Sequence, residues 1–254
     1  MKKTVLSLVA LVASVGASAG IFDPAYRVGK DKVATTINVA GGSASSYEAL
    51  NATVGITDRF SVIVDSNNTG TTPDPFVGVD YNVIGGTGFS LDVIGGWGIG
   101  LSGGHDASDN DDKGTPHSIQ AGVKARGVSG KFSYNAIGAV DYTFATEWDP
   151  DSEEGSHVGF GLSAEAAYAL TPKFGIKGGI AYGFDGERDD KSAGTKNTVK
   201  SQARTDLELG TVYSGETFSV NPYVQWNYGE AYDGDWYDGW APNWTYGVRI
   251  GTEI

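Results

Sequence analysis

The chain has 254 residues, 38 of them glycine and none cysteine, with 31 acidic against 18 basic side chains and a formal net charge of −13. With no thiol, neither a disulfide framework nor a thiolate metal site is possible. The acid excess also excludes the basic footprint that nucleic-acid phosphates require.

In chain order, Lys2 and Lys3 precede an apolar run from Val5 to Val15, and Ala17-Ser18-Ala19 supplies the small residues of a cleavage site. This pattern reads as a secretory signal peptide over residues 1–19. The run is shorter than the ~20 residues of a spanning helix. Residues 20–254 then form one β domain, with no Pro- or Ser-rich linker dividing it. Residues 20–30 show no period and read as a periplasmic lead-in.

Alternation of apolar and polar residues then begins and recurs about twelve times. Val33, Thr35, Ile37 and Val39 mark the first strand. Leu50 to Ile56 marks the second, which ends in the turn Thr57-Asp58-Arg59 before Phe60, Val62 and Val64. Val77 to Val83 leads through Gly85–Gly88 to Phe89–Leu101. A long polar loop, 102–116, precedes Ile119–Ala125, whose wet face carries Gln120, Lys124 and Arg126. Further strands are Phe132–Phe144, Val158–Leu170, Phe174–Phe184, Leu207–Tyr213 and Phe218–Tyr228. The last, Asn243–Ile254, places Trp244, Tyr246, Val248 and Ile250 on one face and Arg249 on the other. Turns at 128–130, 171–173 and 214–216 alternate with long loops at 145–156, 186–200 and 229–242.

Short turns alternating with long loops, and strands near ten residues, are the plan of a transmembrane antiparallel up-and-down β-barrel of about 12 strands. Rings gather at both ends of the oily face. Phe60, Phe89, Phe132, Phe174 and Phe218 follow the turns, while Trp97, Tyr142, Tyr182, Trp226 and Trp244 lie near the loops. These read as two interfacial girdles. Twelve strands tilted by about 40° imply a barrel about 24 Å across, with on the order of 10 Å free inside if no loop folds in.

The inward face carries Asp80, Asp92, Lys124, Glu165, Lys177, Arg204, Asp206, Glu208 and Arg249. Neighbouring strands bring Glu165 to Lys177, and Asp80 to Asp92. These charges either form a constriction that selects ions or satisfy one another and brace the wall. Mixed signs argue against strong anion selectivity. Glu147, Asp149, Asp151, Glu153 and Glu154 make one loop acidic. Asp149–Gly155 has hard oxygen ligands but not the spacing of a calcium loop, so no metal or cofactor is expected. In the last loop Tyr232, Trp236, Tyr237 and Trp240, mixed with carboxylates, are possible contacts for a saccharide or the upper part of the outer girdle. His117-Ser118 and Ser156-His157 are neighbours in sequence and so point to opposite faces of a strand, which argues against a Ser–His dyad and against catalysis.

Across nearly the whole mature chain this pattern resembles Gram-negative outer-membrane β-barrels of porin type, and the hairpin Gly55–Val62 resembles their periplasmic turns. The resemblance implies residence in the cell outer membrane among lipid and lipopolysaccharide, and passive diffusion of ions and small hydrophilic solutes, with cations favoured by the acidic mouth. A saccharide-specific channel, or a closed barrel whose loops bind a partner or surface, are the alternatives. Trp244–Ile254 resembles the C-terminal signal read by the barrel-assembly machinery, departing from it in ending on Ile254 where an aromatic residue is usual.

Overall fold

The computed structural model describes residues 20–42, 46–68, 73–86, 88–99, 117–149, 151–192, 194–229 and 243–254. Residues 1–19, the loop at 102–116 and most of the loop at 229–242 lie outside these. A short 3₁₀ turn, η1 (Gly20–Phe22), precedes β1 (Val33–Gly42), β2 (Ser46–Thr57), β3 (Phe60–Asn68), β4 (Pro73–Gly85), β5 (Phe89–Ile99), β6 (His117–Ser129) and β7 (Phe132–Thr143). Two short strands, β8 (Thr146–Asp149) and β9 (Ser152–Glu154), come next, then β10 (His157–Thr171) and β11 (Phe174–Asp185). Two more short strands, β12 (Arg188–Ser192) and β13 (Thr195–Val199), precede β14 (Gln202–Ser214), β15 (Ser219–Gly229) and β16 (Asn243–Glu253).

Twelve of these strands form a closed antiparallel barrel in the order β1-β16-β15-β14-β11-β10-β7-β6-β5-β4-β3-β2. The first and last strands close it, in register from Ala34 opposite Glu253 to Gly42 opposite Thr245. The amides and carbonyls of Val33 and Ile254 exchange two further hydrogen bonds of 2.9 Å. The strands anticipated from alternation are all present, as are the tight turns between them. In one turn the Thr171 hydroxyl accepts from the amides of Lys173 (3.3 Å) and Phe174 (3.0 Å). In another, Gly130 takes φ 63°, a conformation that favours glycine.

The oily positions face outward. Ile37, Leu50, Val93, Val123, Val140, Leu162, Ile180, Leu209, Val224 and Ile250 are exposed on the outer wall. Among the described residues few apolar side chains are buried, and most of the buried side chains that carry hydrogen-bonding groups face the lumen. This inside-out arrangement suits lipid, which solvates the apolar wall as a protein core otherwise would. Both girdles are in place. Phe89, Phe132, Phe174 and Phe218 are exposed at the turn end, and Trp97, Tyr142, Tyr228 and Trp244 at the loop end. Ring contacts tie several together, among them Tyr142 to Phe144 (5.0 Å) and Trp226 to Tyr228 (5.7 Å). Register shifts between Gly55 and Thr57, between Asn82 and Ile84 and between Ala169 and Thr171 lie near the turn end. The second of these puts Val83 and Ile84 both on the outside.

Two features depart from the sequence reading. The acidic loop after β7 is not simply solvated. Its β8–β9 hairpin joins the β12–β13 hairpin, from the loop after β11, in a four-stranded sheet in the order β13-β12-β9-β8. Charge pairing explains this: Glu153 lies opposite Lys191 in register, and Arg188 binds Glu154 at 3.2 Å and Asp190 at 3.1 Å. Lys196 binds Asp189 at 2.8 Å and so holds the Asp189 carboxyl below its ordinary range. The second departure concerns residues 20–32, which fold into the barrel.

Val123 lies at the middle of β6 and half of it is exposed on the outer wall. Val123→Arg is expected to lower the unfolding free energy by about 2–4 kcal/mol, measured by reversible denaturant titration in lipid vesicles.

Candidate functional site

The lumen is the site, and its turn-end half is built from two ion-pair clusters joined by the N-terminal segment. In the first, Arg126 on β6 reaches across to β5 and β4. Its Nε donates to Asp92 Oδ2 (2.7 Å) and its Nη2 pairs with Asp80 (2.7 Å) and Asp92 (2.6 Å). Asn82 Nδ2 donates to Asp92 Oδ1 (2.7 Å). Arg27 Nη1 approaches the same oxygen at 3.4 Å. The Asp92 side chain is completely buried. Two carboxylates on adjacent strands repel each other unless a cation sits between them, and Arg126 is that cation. Lys124, two residues before it on the same face, lies within electrostatic reach of Asp80, Asp92 and Glu165.

In the second cluster Lys177 on β11 pairs with Glu165 on β10 at 2.8 Å, as the strand order anticipates. Asn135 Nδ2 donates to Glu165 at 3.1 Å. Farther round the wall, Arg249 on β16 makes a two-pronged contact to Glu208 on β14 (2.7 and 2.6 Å) and donates to Asn221 Oδ1 (2.9 Å). The Arg249 guanidinium lies 4.0 Å above the Tyr223 ring, and the Tyr223 hydroxyl donates to Asn38 on β1 (3.0 Å). Nearer the loops Arg204 pairs with Asp206 at 2.8 Å and is largely exposed.

The N-terminal segment crosses the turn end of the lumen. Its η1 turn lies against β14, β15 and β16. Arg126 Nη1 donates to the Tyr26 carbonyl (2.6 Å), and Asn135 Nδ2 to the Pro24 carbonyl (3.1 Å). The Tyr26 hydroxyl donates to Glu253. Phe22, Asp23 and Val28 are buried. The segment leaves the lumen alongside β2, where the Asp31 amide donates to Gly55 O and the Gly55 amide to Lys32 O, both at 2.9 Å. A Cβ on Gly55 would fall 1.9 Å from Gly29 O, so only glycine admits this approach. The segment thus occupies much of the open bore anticipated from strand count. The periplasmic lead-in of the sequence reading is part of the wall.

The nine charges anticipated for the lumen all have inward register. Seven of them join the clusters just described or flank them, and Arg204 and Asp206 stand paired near the loop end. Four residues that organise the site were not singled out: Arg126, Asn82, Asn221 and Tyr223. Arg126 carried the one available signal, a basic residue on the wet face at the same end as two unmatched carboxylates. The loop residues Tyr232, Trp236, Tyr237 and Trp240 lie outside the described residues. His117 on β6 and His157 on β10 stand at the loop end on either side of β7. The His117 ring stacks on Trp97 at 5.6 Å.

No family model matches the chain, and no curated protein matches its sequence. Its fold is similar to solved structures. The NanC porin aligns with a TM-score of 0.58 at 11% identity, covering 87% of this chain and 100% of that one. An outer membrane channel from Pseudomonas putida F1 aligns with a TM-score of 0.57 at 11% identity, covering 92% and 98%. The KdgM porin in complex with disordered oligogalacturonate aligns with a TM-score of 0.51 at 12% identity, covering 86% and 98%. The fold is that of the outer-membrane porin-type barrels.

Removing the central cation tests the first cluster. Arg126→Ala leaves Asp80 and Asp92 without the guanidinium between them, with Arg27 and Lys124 the cations still near. It is expected to lower stability by roughly 3 kcal/mol, read by denaturant titration, and Arg126→Ala combined with Asp92→Asn is expected to recover part of the loss.

Proposed function

We propose that this chain is an outer-membrane channel for passive diffusion of ions and small hydrophilic solutes, with a bore narrowed at the periplasmic end by residues 20–32. The observation that carries this reading is a polar, charged lumen inside a closed barrel whose outer wall is apolar and girdled. The similar solved structures, described as porins and an outer membrane channel, support it. In this reading residues 1–19 are the exported leader, the short turns face the periplasm and the four-stranded sheet faces outside. Lipid and lipopolysaccharide surround the wall, and the barrel-assembly machinery inserts it.

Within the turn-end half the charges are paired, so they brace the wall and narrow it more than they select ions. Selectivity then falls to the loop end, where Asp141, Asp185 and Asp206 face the lumen in register beside Arg204. An acidic rim raises the local cation concentration and favours cations mildly. The reading has no catalytic step.

The N-terminal segment favours a second reading, a barrel closed at the periplasmic end whose outer sheet meets a partner. A planar bilayer under a salt gradient separates the two. The full chain is expected to give single-channel current with a cation-directed reversal potential, and a variant lacking residues 20–27 is expected to give several-fold larger conductance. Silence from the full chain with current from the variant would establish closure by the segment. Silence from both would overturn the channel.

A further inference from the structure

Above the charged clusters, one apolar ring faces the lumen from β4. Phe76 shares its face with Asp80, two strand steps away on each side of Gly78, while Val77 and Val79 point out to lipid. The ring is seated on glycine. A Cβ on Gly96 would lie 2.1 Å from Phe76 Cζ and within 2.9 Å of both Cε atoms, and one on Gly78 would lie 2.7 Å from Cε1. Any side chain at Gly96 would therefore displace the ring from the wall. With its tip resting on bare backbone, the ring stays close to β4 and β5 and leaves its other side to the lumen, where it remains partly exposed.

Polar groups frame it. Asp65 on β3 is the direct register partner of Phe76, and Asn51, opposite Asp65 on β2, donates to its carboxylate. The other carboxylate oxygen, Oδ1, is shielded and has no hydrogen-bond partner. On the far side, Ser118 and Gln120 of β6 stand opposite Gly98 and Gly96. The position of a Cβ on Gly98 is 2.8 Å from Ser118 Oγ and 3.6 Å from Phe76 Cδ2, so hydroxyl and ring edge flank one spot.

An aromatic face bordered by a carboxylate, an amide and a hydroxyl matches a pyranose ring. The C–H face of the sugar packs on the aromatic ring, and its edge hydroxyls donate to the carboxylate and accept from the amide and hydroxyl. A uronic-acid sugar meets Asp65 here and Asp141, Asp185 and Asp206 on the same half of the lumen, all of like charge. We propose that Phe76, Asp65, Asn51, Ser118 and Gln120 form a lumenal subsite for a neutral oligosaccharide. The inference rests on the reading of the lumen as a solute path, and its test is separable from that reading.

The test is calorimetric titration of the full chain in detergent micelles with maltohexaose, and with a hexameric oligogalacturonate of the same length. Maltohexaose is expected to bind and the acidic sugar to bind at least tenfold more weakly. Loss of one stacked ring in Phe76→Ala is expected to weaken maltohexaose binding by about tenfold, and Phe76→Trp, which keeps a flat face, is expected to restore it. Asp65→Asn is expected to weaken it several-fold. In the bilayer, maltohexaose is expected to interrupt the wild-type current and to do so less in Phe76→Ala. No binding of maltohexaose, equal binding by the Phe76→Ala chain, or stronger binding of oligogalacturonate would each overturn the subsite. Current without any sugar effect would overturn the subsite and leave the channel standing. Sugar binding lost in Phe76→Ala, with no current from any variant, would overturn the channel and leave the subsite standing.

Discussion

Every backbone amide and carbonyl that meets hydrocarbon has to find its partner within the protein. The pairing of β1 with β16 meets that demand, because without it the sheet has two open edges in lipid. The rest of the architecture follows from closure. A closed sheet has one outer face and one inner face, so period-two alternation sorts every side chain into lipid or lumen. The outer set is apolar and ringed at both ends. The inner set is free to be polar, and its polar groups meet from strand to strand around the wall, the closing seam included. The contact of Tyr223 on β15 with Asn38 on β1 spans the closing seam in this way, and Arg249 on β16 sits between them.

The lumen is layered along its axis. Next to the turns, Asp80, Asp92, Glu165 and Glu208 are answered by Arg126, Lys177 and Arg249, with Lys124 beside them. Charge neutrality there permits close approach of a further piece of chain, and the carbonyls of Pro24 and Tyr26 take donors left over from Asn135 and Arg126. Those arginine and amide groups thus serve wall and segment together. Toward the loops the balance shifts to carboxylates and to the Phe76 ring, with glycine clearing space. One half of the lumen is braced and narrow, and the other is wide enough to present surfaces.

The strands, their faces and the tight turns were legible because each is local: a two-residue period and a turn residue suffice. The Glu165–Lys177 pair was legible because adjacent hairpin strands fix its register. Arg126 was harder to read. Its role depends on the stagger of two strands, which the sequence does not state: β5 sets Asp92 opposite Lys124, and β4 sets Asp80 opposite Ile94 one strand farther away. Residues 20–32 have no period at all, so their place inside the barrel is set by contacts with partners up to more than two hundred positions away, such as Glu253. The β8–β9 and β12–β13 strands were hidden for another reason. Their stretches are charged rather than alternating, and each is stabilised by the opposite charge in the other loop.

Residues 20–32 precede β1, yet they touch Ser133 and Asn135 on β7, Arg126 on β6 and Gly251 and Glu253 on β16. Those surfaces face one another only after the last strand has docked. Residues that precede every strand therefore reach their final positions only once the last strand is in place, and they narrow the lumen at that point. A barrel caught just before that step has its full wall and its widest bore. The barrel thus has a built-in final stage of folding, in which the chain fills part of the space it has just enclosed.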